Sequence, residues 1–318
     1  MKAESNGRPP TVSVVMPTHN RARLLRRSVA SVLAQTHAEL ELIVVDDGSR
    51  DDTQEVLASF TDPRLVVLRN EVGGGAAAAR NKGLAVARAP WVAFQDDDDT
   101  WLVRKLERQL AALQARPDVH WCLGSFLSLS PQGVRFYGGA YYREQIDYRL
   151  GIGAGGPDWY LITTPNWVVR TELLRRLGGF DERIRSWDDW ELSLRIRQET
   201  DFVHVDEVLW VQDRVLGGGL TRAERARADD MRIILAKHGH LWSAQPKVLA
   251  RHQYLVGRAE SLYDGRAGAG RDMLLQALHT WPWRWQTWLA LAASLLPSTW
   301  IQKFTRSWRD LRARVGAA

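Results

Sequence analysis

A chain of 318 residues, 45% hydrophobic and 25% charged, suits one large α/β domain plus an extension and has a globular composition. Its single cysteine, Cys122, excludes an internal disulfide and fits a reducing compartment; no apolar run is long enough to predict a spanning helix. The net charge of +6 is modest, but basic residues crowd positions 21–27, 222–232 and the C-terminal end. That distribution suggests an anionic surface, membrane lipid or charged glycan. No nucleic-acid motif accompanies it, so nucleic acid is not expected as a partner.

Residues 1–10 have no apolar core and are expected to form a disordered lead, not a signal peptide. Residues 11–16 (TVSVVM) predict a strand ended by Pro17, and residues 21–35 a helix from the spacing of Leu24, Leu25, Val29, Val32 and Leu33. LELIVV (40–45) is near-continuously apolar, the pattern of a parallel strand covered on both faces. It ends in Asp46 and Asp47, and a helix is expected from about residue 52. A third strand (64–68), an alanine-rich helix (75–89) and a fourth strand (91–95) follow. This alternation predicts a doubly wound sheet of the α/β class with its ligand at the carboxyl ends of the strands. Thr18-His19-Asn20, Asp46-Asp47 and Asp96 to Asp99 should converge there.

The stretch WVAFQDDDDTW (91–101) carries the strongest chemical signal. A strand that ends in stacked carboxylates is costly unless a cation neutralises them, and a hard divalent metal with oxygen ligands is the usual solution. A solvated acidic turn ahead of a helix at 102–116 is the plainer alternative. Strand character returns at 119–129 and 161–170, separated by the glycine- and tyrosine-rich residues 131–158, and Cys122 reads as a buried thiol. A helix is expected over 223–236, after which the composition changes.

Beyond Ser243 the pattern is helical: a hairpin of 248–262 and 272–279 turning at GRAGAG, an apolar stretch at 288–296, and a basic amphipathic helix at 301–315. Residues 287–315 are therefore candidates for peripheral membrane contact, with packing on the hairpin as the alternative. The fifteen tryptophans are expected to divide between core, sugar-stacking and interfacial positions.

Taken in order, SVVMPTHNR (13–21), ELIVVDDGSRDDT (41–53), ARNKGL (79–84), VAFQDDDDTW (92–101) and GGFDE…DDWELSLR (178–195) resemble the family 2 glycosyltransferases of the GT-A fold. The resemblance implies a GT-A-type, doubly wound, mixed but mostly parallel sheet flanked by helices, with a C-terminal helical extension. Residues 11–242 would form the transferase domain, its nucleotide-binding half at 11–105 and its acceptor-binding half at 106–242, with the extension at 243–318. It further implies an inverting, hexosyl-type transfer from a nucleotide-diphosphosugar, foremost a UDP-sugar, to a glycan or lipid-linked acceptor. The setting would be surface polysaccharide or glycolipid synthesis on the cytoplasmic side, peripheral to the membrane.

On this resemblance Asp47 would hydrogen-bond the nucleotide base beside Asp46, with Pro17, Thr18 and Asn20 lining the same pocket. Stabilisation of a helix N-terminus is the alternative for Asp47. Arg80 would face the donor, beside Asn81, with Gly73 to Gly75 permitting close backbone approach. The family's Asp-x-Asp motif maps onto Asp96 and Asp98: Asp98 as ligand of a divalent metal (Mn2+ or Mg2+), Asp96 toward the ribose or the metal's shell. Such an ion would neutralise charge on the departing diphosphate. Gln95 stands where the family often has leucine. Asp189 maps onto the catalytic base; Asp188 replaces the family's usual glutamate, and Glu191 adds a third acid whose repulsion could raise the base. Arg214 is a candidate phosphate contact near the glycines 217–219, and Trp187 and Trp190 flank the base.

DDDDT also fits the nucleophile motif of haloacid-dehalogenase-type phosphatases, but that motif belongs on a first strand and would leave DDGS unexplained. The absence of G-x-G-x-x-G after the first strand disfavours a dinucleotide-binding dehydrogenase. A non-catalytic carbohydrate- or nucleotide-binding protein on the same fold is the remaining alternative.

Overall fold

The computed structural model describes residues 8–138, 163–216, 224–262 and 266–296. It divides into two compact units, Met1–Thr221 and Arg222–Ala318. The division falls ahead of the composition shift at Ser243, because the helix after residue 222 packs with the C-terminal helices.

In the first unit, four parallel strands build one half of the sheet: β1 (Val12–Thr18), β2 (Leu40–Asp46), β3 (Leu65–Arg69) and β4 (Trp91–Phe94). They are joined by α1 (Ala22–Leu33), α2 (Thr53–Ala58) and α3 (Ala76–Val86). Every residue of β2 is buried, as its apolar run requires of a strand covered on both faces. β1 does not stop at Pro17: it continues to Thr18, with Pro17 in register with Val45 and Thr18 with Asp46. The missing N–H is tolerated because the β4 ladder on the other side has ended by Val15.

The other half is mixed. The described strands run β3-β2-β1-β4-β8-β6-β9-β5, with β7 pairing β6 at the side. Here β5 is Thr100–Trp101, β6 Trp121–Ser130, β7 Gly133–Tyr137, β8 Val168–Arg170 and β9 Val203–Asp213. β8 is antiparallel to both β4 and β6, β9 is parallel to β6, and β5 is antiparallel to β9. The sequence expectation placed a helix at 102–116; α4 spans Lys105–Gln114, because Thr100 and Trp101 are taken by β9. The strand expected over 161–170 is a 3-10 turn at Thr164–Asn166 followed by the short β8. Most of the glycine- and tyrosine-rich stretch, and the glycines at 217–219, lie outside the described residues. Two short helices close the unit: α5 (Thr171–Arg176) and α6 (Asp188–Glu199).

Aromatic rings fill the centre of this mixed half. Phe94 meets Trp167 and Phe180 edge-on, Trp121 meets Trp167 edge-on, and Phe126 stacks on Trp210 at 4.3 Å. Cys122 is buried among them, and burial pushes its thiol up to about 12, as a structural cysteine should behave. Beneath them Lys105 is fully buried, its ammonium 4.0 Å from the Trp101 ring centroid and 2.6 Å from Gln109 Oε1.

The second unit contains α7 (Glu224–His238), a 3-10 turn (Gly239–Trp242), α8 (Pro246–Leu262), α9 (Ala267–Thr280) and α10 (Trp285–Ser294). The GRAGAG segment is not simply a turn: its last four residues form the first turn of α9. A side chain at Gly257 would come within 2.8 Å of Gly270 O, so the two glycines let α8 and α9 approach closely. α10 buries its small residues Thr287, Ala290 and Ser294 and exposes Trp285, Trp288 and Leu289, with Trp283 just ahead of it 80% exposed. Among the described residues no helix is long and apolar enough to cross a membrane, and the amphipathic segment at 301–315 lies outside them.

Candidate active site at the carboxyl ends of the parallel strands

The three polar strand ends converge. His19 Nδ1 lies 2.8 Å from Asp47 O, and the Asn20 N–H donates to Ser49 Oγ at 2.9 Å. Asn20 has a positive φ of 53°, a conformation its short amide tolerates, and its Oδ1 accepts from the Arg50 N–H at 2.7 Å. His19, Asn20, Gly48, Arg50, Glu71 and Gly73 are among the residues that line an open cleft of about 360 Å³. Pro17 and Thr18 end β1 behind it, and the buried Thr18 hydroxyl faces the Asp97 carboxyl.

The two aspartates after β2 are held differently. Asp46 is wholly buried; it accepts from the Ser49 N–H at 2.9 Å and from Gln54, with Arg69 3.7 Å away. Asp47 pins the glycine loop. Its Oδ1 accepts from Asn70 Nδ2 at 2.7 Å and the Gly74 N–H at 3.0 Å, and its Oδ2 from the Gly75 N–H at 2.7 Å. Asp47 thereby supports the start of α3, whose N-cap is Gly75.

Beyond β4 the chain turns tightly, with the Asp99 N–H donating to Asp96 O at 3.2 Å, and sets four carboxylates in a small volume. Burial and mutual repulsion push Asp97 up to about 7 and raise Asp98 and Asp99. Arg21, the N-cap of α1, and Arg27 within it answer this charge, and sequence reasoning assigned neither of them to the site. Arg21 pairs through Nη1 with Asp98 Oδ2 and lies 3.4 Å from Asp97 Oδ1. Arg27 donates from Nη2 to Asp98 O at 2.7 Å and from Nη1 to Asp213 Oδ2 at 2.9 Å. Asp213 in turn donates its N–H to Asp99 Oδ1 at 3.1 Å, tying the end of β9 to the cluster. Arg214, the sequence candidate, donates from Nε to Gln212 Oε1 at 2.9 Å.

Arg80, on the buried face of α3, spans the two halves of the unit. Nη2 reaches Asp96 Oδ1 and Nη1 reaches Asp188 Oδ2, each at 2.8 Å, and the guanidinium lies 5.5 Å from the Phe180 ring centroid. Its neighbour Asn81 clamps the GGFDE turn, accepting from the Phe180 N–H at 2.8 Å and donating to Phe180 O at 2.9 Å. Asp188 and Asp189 open α6, where the helix dipole favours acids. Asp189 accepts from the Trp190 N–H at 2.7 Å. Burial, then the Asp188 charge, push the Asp189 carboxyl up to about 8, against the pull of Arg80. Glu191, the third acid of this turn, is wholly buried and bound by Arg195 at 2.6 Å. Trp190 is buried and meets Trp187 edge-on at 5.7 Å, so it is a packing residue.

Crowded hard oxygen donors with raised proton affinities, beside the unpartnered buried amide of Gln95, suit a divalent cation and a polar ligand. Among the described residues no three acidic, histidine or cysteine side chains converge to hold a metal unaided. Asp98 and Asp96 would hold such an ion only together with oxygens from elsewhere.

The parallel half, the antiparallel insertion and the acid cluster past β4 define a GT-A-type fold. The chain belongs to glycosyl transferase family 2, whose family model matches residues 13–178. It is 43% identical over 102 residues to the UDP-Glc:alpha-D-GlcNAc-diphosphoundecaprenol beta-1,3-glucosyltransferase WfgD of Escherichia coli, covering 32% of this chain and 40% of that protein. It is 42% identical over 123 residues to a Bacillus subtilis protein named as a teichuronic acid biosynthesis glycosyltransferase, TuaG, covering 38% and 47%. The matches thus span less than half of these two relatives. In fold it is similar to S. aureus TarS 1-349, with a TM-score of 0.65 at 18% identity over 93% of this chain and 91% of that one. It is also similar to a Pyrobaculum calidifontis mannosyltransferase in complex with GDP-Man and Mn2+, with a TM-score of 0.58 at 21% identity over 96% and 81%.

Proposed function

We propose that this protein transfers a sugar, with inversion, from a nucleotide-diphosphosugar to a hydroxyl of a glycan or lipid-linked acceptor in surface polysaccharide or glycolipid synthesis. The observation that carries the reading is the chain Asp96–Arg80–Asp188–Asp189, which links the carboxylates past β4 to a raised carboxyl at the head of α6. A raised carboxyl suits a general base that takes the acceptor hydroxyl's proton as the oxygen attacks the anomeric carbon. The anomeric bond to the diphosphate breaks on the opposite face. Arg80 holds Asp188 and Asp96 in register, so base and donor site keep a fixed separation. Asp98, with Asp96, would hold a Mn2+ or Mg2+ ion, which when bound supplies charge neutralisation to the diphosphate.

The cleft beside His19, Asn20 and Gly73 suits the nucleoside, with Asp46, Asp47, Pro17 and Thr18 around it, and Arg214 stands as a candidate phosphate contact. A UDP-sugar is the donor to test first, since WfgD is named for one and TarS has been solved with UDP and with UDP-GlcNAc.

Placement at the cytoplasmic face of an anionic membrane is part of the same reading. Arg284 lies close enough to Arg251 and to Arg258 for each pair to repel, Arg258 and Arg284 both over the Tyr254 ring, in the same unit as the exposed tryptophans of α10. Clustered cations with interfacial aromatics complement anionic headgroups. Flotation with phosphatidylglycerol vesicles, lost in a triple Trp283→Ala, Trp285→Ala, Trp288→Ala variant, is the expected result; a wild type that stays with the aqueous phase removes this part.

The test of the donor site is thermal stability with UDP, GDP, dTDP and CDP, each with and without manganese, in wild type and Asp98→Ala. A native-state ligand raises the melting temperature by mass action. A manganese-dependent rise with one nucleotide, absent in Asp98→Ala, supports the site; no rise with any nucleotide overturns it.

A further inference from the structure

Asp98 already has a cation. The Arg21 guanidinium pairs with Asp98 Oδ2 and lies 3.4 Å from Asp97 Oδ1, and the three side chains are 20%, 17% and 9% exposed. Water therefore screens this contact poorly. Arg21 sits at the N-cap of α1 and makes no side-chain cap there, so its side chain is committed to the acids and not to the helix end. Asp98 is also fixed from behind, through Arg27 on its carbonyl at 2.7 Å. The carboxylate is thus held in place on one side while the Arg21 guanidinium occupies its outer oxygen.

Resting on the metal site proposed above, we infer that Arg21 is a resident counter-cation that competes with the divalent ion for Asp98. An ion that takes Asp98 Oδ2 must separate it from Arg21, because two cations on one oxygen repel. In the ion-free protein the guanidinium neutralises acids that would otherwise force each other apart. The same contact lowers the protein's affinity for a metal arriving alone. Arg21 acts through Asp98 and is a positioning residue, with a consequence for when the ion enters: a ligand that offers the guanidinium another anion relieves the competition, so ion and diphosphate favour each other's binding.

The experiment measures manganese affinity by titration calorimetry and by the loss of the free-ion paramagnetic resonance signal, on the full chain. It compares wild type, Arg21→Gln, Arg21→Lys and Asp98→Asn, with and without UDP. Arg21→Gln should bind manganese alone about tenfold more tightly than wild type, the scale of losing one close, poorly screened charge. The gain in manganese affinity on adding UDP should shrink in the same variant. Arg21→Lys keeps the charge and should stay near wild type, and it serves as the working comparison if Arg21→Gln melts below the assay temperature. A purely structural salt bridge would lower the melting temperature of Arg21→Gln and leave its manganese affinity unchanged; that result overturns the inference. If manganese binds with Asp98→Asn as with wild type, or with no variant at all, the metal site itself fails and the inference goes with it.

Discussion

Arg80 and Asp188 stand 108 residues apart in the chain and 2.8 Å apart in the fold. The guanidinium is nine-tenths buried and its second arm takes Asp96, so one side chain joins the carboxylates past β4 to the start of α6. Removing one partner of a buried pair strands the other charge. Asp188→Ala should therefore cost up to about 3 kcal/mol in urea unfolding, softened by the remaining Asp96 contact. A double-mutant cycle with Asp96→Ala should be non-additive. A loss below about 0.5 kcal/mol would place this pair with weak surface bridges.

Asp189 carries the pH dependence. Its carboxyl is raised to about 8, and only the deprotonated form can accept a proton. The kcat/KM of the proposed transfer should climb with pH from about 6 and level off above about 8, as the base-competent fraction grows. Asp189→Asn should lower kcat by roughly 10²–10⁴-fold with nucleotide binding retained. A flat profile across that range, with activity retained in Asp189→Asn, would remove Asp189 from the role.

Gly83 is the point where α3 lies against β1. A Cβ there would meet Val15 Cγ1 at 2.4 Å, inside a fully buried contact. Gly83→Ala should cost about 1–3 kcal/mol by overpacking, although alanine is the better helix former. An unchanged or raised melting temperature would show that α3 can shift, and with it Arg80.

Lys105 is buried over Trp101, and burial lowers its ammonium to about 7. In the unfolded chain it titrates near its ordinary value of 10.5. Between those two values the unfolded state binds the extra proton, so this group's contribution to stability rises with pH from about 7 to about 10.5. Lys105→Met should abolish that slope and stabilise the protein at neutral pH by on the order of 1–4 kcal/mol. A slope that persists in the variant would assign it to another group.

Much of the parallel half was readable from residues alone, because β2 and β4 are apolar runs ended by acids and their helices have clear spacing. The doubly wound sheet and the convergence of three strand ends rest on that pattern; the mixed half came only with the family resemblance, and the pairing of Arg80 with Asp96 and Asp188 was not foreseen. β9 escaped notice: V-H-V-D-E-V-L-W-V-Q-D interleaves polar and apolar residues, and its burial comes from β6 and β5, which lie far away in sequence. β5 is two residues long and has no period to read. Pro17 misled for a local reason, since a proline breaks a ladder only where a partner awaits its N–H. Arg21 and Arg27 look like any basic residues on a helix; only the fold brings them to Asp98 and Asp213.

Asp47 has a consequence for what a ligand meets. Three of the roughly four lone-pair sites of its carboxylate are filled by Asn70, Gly74 and Gly75. The backbone is equally committed, since a side chain at Gly73 would come within 2.9 Å of Asp47 O. These bonds fix the loop when the chain folds, so a ligand binding beside it would add little ordering entropy. One open acceptor on a carboxylate that cannot turn is a narrow gauge: it admits a single donor from a single direction.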